Sequence, residues 1–153
     1  MNRRTIAIGL IAAIFGSGVF YWHGVQNTPV FQNALPDTAL IDQSFVGSYY
    51  CGDGLGFNQV LDLNTDGTFN CSWHGCLGDY GSTTGIWGRK EQHVYLATRT
   101  ASGMFETSPL SDLGIVTKNE QRYLLPKEFE DTIKKHGDEM IPVFSFALRT
   151  TKK

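Results

Sequence analysis

The chain has 153 residues, 41% of them hydrophobic and 18% charged, with a net charge of −2. That is the composition of a single globular domain, and it excludes a disordered or fibrous chain. Arg3 and Arg4 are two of the 13 basic residues, so beyond position 26 the 15 acidic residues face 11 basic ones; this net of −4 leaves no concentrated basic face for nucleic acid.

The first 24 residues, MNRRTIAIGLIAAIFGSGVFYWHG, set Arg3 and Arg4 ahead of 18 uncharged residues from Thr5 to Trp22. The pattern is that of an export signal. Its length is at the short limit for a membrane-spanning helix, and Tyr21, Trp22 and His23 suit an aromatic belt at the far interface, which predicts an uncleaved signal anchor. The alternative is a cleaved signal peptide, with an h-region from Ile6 to Phe15 and Gly16 and Gly18 as the small residues for cleavage. In both cases the positive-inside rule keeps the two arginines in the cytoplasm. The remainder is then expected in the periplasm, held at the inner membrane if anchored and secreted if cleaved.

Residues 25–44, with two prolines and no sustained period, read as a spacer, and the domain is expected to occupy 45–153. Eight short alternating runs follow: Phe45 to Cys51, Phe57 to Asn64, Thr68 to His74, Gly85 to Arg89, His93 to Thr98, Leu113 to Thr117, Gln121 to Leu125 and Pro142 to Arg149. They predict an all-β fold, a single antiparallel up-and-down barrel. Phe57, Leu61 and Leu63 share one face of the second run, and Phe69, Cys71 and Trp73 one face of the third. Residues opposite each other in an antiparallel pair point the same way, so odd positions must meet odd positions. A two-residue loop at Asp66-Gly67 fails that test. A three-residue loop, Thr65-Asp66-Gly67, pairs Leu63 with Phe69 and Leu61 with Cys71 through a type I turn and a glycine bulge.

One helix is expected within 126–137, with Phe129 and Ile133 four residues apart, acidic residues early, Lys134, Lys135 and His136 late, and Gly137 as its stop. Its apolar face should close one end of the barrel. In a meander the connections alternate between ends, so tight turns gather at one end and the segments 52–56, 75–84, 101–112 and the helix at the other. That second end is the expected mouth. Its candidate ligand-binding or partner-binding residues are Asp53, His74, Asp79, Tyr80, Met104 and Phe105, with Glu106 and His136 beside them.

The stretch CSWHGCLGDYG raises the chemistry of Cys71, His74 and Cys76. As zinc ligands they are acceptable types, but Cys71 lies on the face of Phe69 and Trp73 while His74 points to the other, and no second ligand pair exists, so no metal is expected. A disulfide suits an exported domain. Cys71 lies roughly 17 Å down its strand from the mouth, which leaves Cys51 with Cys76 as the expected pair; such a bridge would contribute about 3 kcal/mol. The other reading is three reduced thiols. The glycines of CGDGLG and GCLGDYG are flanked by strands rather than a helix, which fits tight bulged loops better than a phosphate cradle. Asp53, His74 and Asp79 could form an acid-base set. No cofactor is implied.

The segment FVGSYYC at 45–51 resembles the opening of lipocalins, where a Gly-x-Trp-Tyr element begins the first strand: Phe45, Gly47 and Tyr50 match, and Tyr49 stands in the Trp position. The resemblance implies a calycin-like barrel of the bacterial-envelope kind with an apolar pocket at its open end, and an arginine of the last strand, Arg149, crossing the Trp position. The expected function is binding without catalysis, with a small apolar ligand inside an exported, membrane-tethered barrel. The alternatives are a protein-binding module, such as an envelope enzyme inhibitor or immunity protein anchored by Tyr80, Met104 and Phe105, and a small hydrolase.

Overall fold

Short runs that alternate apolar and polar residues leave one greasy face per strand, and a sheet closed on itself buries all of those faces at once without leaving an edge. The computed structural model describes residues 34–54 and 56–149. Its strands are β1 (Gly47–Gly52), β2 (Asn58–Leu63), β3 (Thr68–Gly75), β4 (Gly78–Lys90), β5 (His93–Ala101), β6 (Asp112–Lys118), β7 (Gln121–Pro126) and β8 (Phe146–Leu148). Each pairs antiparallel with its chain neighbour, and β8 returns to pair with β1, so the sheet is a closed eight-stranded meander. The expected signal segment at 1–24 lies outside the described residues. Among the described residues no helix is long and apolar enough to cross a membrane.

The β2–β3 hairpin has the expected register, Leu63 opposite Phe69 and Leu61 opposite Cys71. Its turn closes through Gly67 N–H to the Asn64 carbonyl at 3.1 Å and Asn64 N–H to the Thr68 carbonyl at 2.9 Å. Gly67 sits at φ 81°, the left-handed conformation the bulge requires. Asp66 ties the turn by accepting from the Thr68 amide and hydroxyl at 2.9 and 2.7 Å.

Two expected boundaries change. Residues 75–84 are not a loop: β3 and β4 run on to a two-residue turn at Cys76 and Leu77. Two of the glycines that suggested a loop serve close packing instead. A Cβ at Gly75 would collide with the Tyr80 ring and the Gly56 carbonyl, and one at Gly81 with the Ser102 carbonyl. The last run is also shorter than expected, because Ile141–Phe144 coils into a helical turn, α2, before β8 begins at Phe146.

The interior is filled by the inward residues of every strand, among them Tyr49, Phe69, Trp87, Leu113, Leu124 and Phe146, none more than 2% exposed. One end carries the tight turns and is sealed by residues 40–46. Leu40 bridges to Arg89, and a single 3-10 turn at Gln43–Phe45 is capped by the Asp42 carboxylate. Phe45 is buried beneath Arg122 at 4.0 Å and Arg89 at 5.0 Å from its ring centre. The Arg122 guanidinium donates to the Ser44 carbonyl at 2.6 Å, and Arg89 pairs with Asp42 at 2.7 Å. Tyr49, in the position expected for a lipocalin Trp, is buried and donates its hydroxyl to the Phe45 carbonyl at 2.8 Å. Arg149 lies over the neighbouring Tyr50 ring at 4.7 Å rather than over Tyr49.

The other end carries helix α1 (Glu130–His136), which starts on acidic residues, ends on basic ones and stops at Gly137, as expected. It does not simply plug the barrel. Ile133 packs with Leu125, Ile141, Val116 and Tyr123, while Leu124, Leu113 and Ile115 belong to the interior core. Alternation along β6 and β7 therefore sets Ile133 against the barrel's outer face. The flanking Glu128, Phe129 and Phe144, the two rings stacked at 4.9 Å, reach the rim of the mouth.

Candidate functional site

Strand alternation brings Cys51 of β1, Gln59 of β2 and Trp73 of β3 onto the interior face at one level near the open end. The register places Gln59 opposite both of the others. Above them Phe105 enters from a 3-10 turn at Gly103–Glu106, which follows β5 and folds back under β4. That turn is clamped by Ser102, whose amide donates to the Ser82 carbonyl at 2.8 Å while its hydroxyl accepts from the Ser82 amide at 3.0 Å. Trp73 is the hub. Its ring meets Phe57 at 5.1 Å, Tyr80 at 5.7 Å and Phe105 at 6.1 Å, all edge to face, the favoured geometry for aromatic pairs.

These residues do not fill the space completely. A cavity of about 320 Å³ remains between Cys51, Gln59, Trp73, Phe105 and the Phe129–Phe144 pair. A second hollow, of about 470 Å³, lies outside it between Asp53, Phe57, Pro142 and Val143; Phe57, Phe129 and Phe144 form the wall common to both. The inner volume falls at the low end of small-ligand pockets, roughly 300–1,000 Å³. Its lining is mainly apolar, and Glu128 is the one charged residue among those that bound it.

The expected site residues divide into two sets. Phe105, buried, and Met104, 52% exposed, line the inner cavity, and Tyr80 supports it from behind Trp73. Asp53 faces the outer hollow, its carboxylate accepting from the Gly56 and Phe57 amides at 2.9 and 3.1 Å and so shaping its own loop. His74 and Asp79 meet at 2.6 Å, but on the projecting β3–β4 hairpin, with side chains 50% and 81% exposed, and neither bounds the inner cavity. Gln59 was missed. It stands on the same odd-numbered face as Phe57 and Leu61, so the alternation that located those residues also located it.

The expected Cys51–Cys76 disulfide is not present. Because β3 continues through Gly75 into the turn, Cys76 is carried out to an exposed hairpin tip while Cys51 points inward. Burial pushes the Cys51 thiol up to about 11, and burial, reinforced by the Asp62 charge, pushes Cys71 well above its ordinary value. Both are therefore neutral thiols near pH 7, poor nucleophiles and poor metal ligands. Cys71 and His74 diverge to opposite faces, one buried and one exposed.

No family model matches the chain, and neither a curated protein nor a solved structure matches it. What the fold defines is a class: a small antiparallel barrel sealed at one end and hollow at the other.

Proposed function

We propose that this chain is an exported binding protein that takes a small, predominantly apolar ligand into the open end of its barrel and performs no catalysis there. The observation that carries the reading is the cavity of about 320 Å³ walled by Trp73, Phe57, Phe105, Phe129 and Phe144. At roughly 30 Å³ per non-hydrogen atom, a water's share of liquid volume, it suits a ligand of about ten such atoms. The expected acid-base residues do not converge on it: His74 and Asp79 pair on the outer hairpin, and Asp53 braces its own loop. Export, with the domain in the periplasm and tethered by its N-terminal segment or released by cleavage, rests on Arg3, Arg4 and the uncharged run after them.

A second reading, a protein-binding module, is favoured by one observation. Leu77, Met104 and Val143, three of the large apolar side chains most exposed to solvent, all stand on loops or turns of the open end. Native mass spectrometry of the full chain purified from an exporting host separates the two. A co-purified small molecule released on unfolding is the expected result. A bare chain that captures an envelope protein through substitutable Leu77 and Val143 would replace the carrier reading with the second.

A further inference from the structure

Gln59 is 8% exposed, bounds the inner cavity, and enters no side-chain hydrogen bond with the described residues. It projects inward between Cys51 and Trp73, its register partners on either side. A primary amide has two donors and an acceptor oxygen, and in an interior these are normally satisfied by the protein. Here the satisfying group has to come from whatever occupies the cavity. The walls toward the mouth, Phe57, Phe129 and Phe144, are aromatic, so an occupant bonded to Gln59 would lay an apolar body outward against them. No lysine or arginine bounds the cavity, and its one charged residue, Glu128, is acidic, so an anionic occupant would lose its hydration without gaining a counter-charge.

We infer that Gln59 is the polar recognition group of the cavity, and that the ligand class is an uncharged small amphiphile whose hydroxyl or carbonyl end bonds the Gln59 carboxamide. The inference deepens the carrier reading and rests on it. A hydrocarbon would fit the walls but leave the amide unpartnered, and a carboxylate would meet an acidic rim.

The test is equilibrium binding to the full chain in lipid nanodiscs, with empty nanodiscs as the reference. The probes are ethylbenzene, 2-phenylethanol and phenylacetate at neutral pH. The expected order is 2-phenylethanol tightest and phenylacetate weakest. Gln59→Leu should weaken 2-phenylethanol by about tenfold, the scale of one well-placed hydrogen bond, and leave ethylbenzene unchanged or tighter. Its thermal midpoint should be equal to or above that of the parent chain, since an amide with no protein partner at the cavity wall is replaced by a hydrocarbon. Three probes bound alike, with Gln59→Leu indifferent, would overturn the role of Gln59 and leave the carrier reading standing. A variant that melts lower and loses all bound probes equally would make Gln59 structural and also overturn it. If no probe binds the parent chain, both readings fall together.

Discussion

The two ends of the barrel are built from the same eight strands and differ in how they satisfy some of their buried polar side chains. At the closed end Tyr49, Arg89 and Arg122 each find an oxygen, and the Trp87 indole donates to the Asn64 carbonyl at 3.0 Å. At the open end the Trp73 indole nitrogen and the Ser145 hydroxyl are buried without a partner among the described residues, and the Gln59 amide also bonds none of them. An unpartnered buried polar group costs about 1–3 kcal/mol. Chains break local rules of this kind at functional sites and compensate elsewhere. The closed end holds the barrel together, and the open end is where stability has been given up.

That contrast can be broken by substitution. The largest expected effect is Phe45→Ala, which removes the ring held under two arginines; a loss of about 3–5 kcal/mol in urea unfolding is expected. Gly67→Ala should cost about 1–2 kcal/mol, because its left-handed conformation penalises a Cβ, which would also strike Ile41. Asp42→Ala should cost about 1 kcal/mol as a lost cap. Hydrogen bonds from the Ser44 hydroxyl, then the Ser44 amide, then Arg89, hold the Asp42 carboxyl below its ordinary 3.8. With the folded value below the unfolded one, this stabilisation is complete above about pH 3.8 and is lost as the pH falls further, an acid arm that Asp42→Asn should flatten. Smallest of all, Leu77→Ser and Met104→Ser at the open rim should stay within about 0.5 kcal/mol of the parent chain. Costs there equal to those at the closed end would erase the distinction.

Much of the closed end was legible in the sequence, because parity and turn chemistry constrain each other. Leu61, Leu63, Phe69 and Cys71 must face inward together, and only a three-residue turn ending in Gly67 allows it. The open end was less legible, since its glycines have two physical meanings. Gly75 and Gly81 read as loop residues yet sit inside β3 and β4, where the Gly56 and Ser102 carbonyls pass too close for a side chain. That misreading shortened β4, brought Cys76 down beside Cys51, and produced a disulfide that the long hairpin, with Cys76 at its exposed tip, does not form. The strap at residues 40–46 was also hidden, since its hold on the barrel depends on Arg89 and Arg122, distant in the chain. Cavities are invisible to strand alternation, which says which way a side chain points but not whether its neighbours fill the space.

Trp87 and Trp73 report separately on the two ends, one indole hydrogen-bonded to Asn64 and the other unpartnered at the cavity wall. The most direct measurement is a nitrogen–proton correlation spectrum of the full chain in nanodiscs during titration with 2-phenylethanol, with Trp73→Phe and Trp87→Phe variants assigning the indole signals. Binding in the open end should move the Trp73 indole signal in a saturable way and leave that of Trp87 in place. A Trp73 signal that stays fixed while 2-phenylethanol binds, or a Trp87 signal that moves instead, would contradict the assignment of function to the open end.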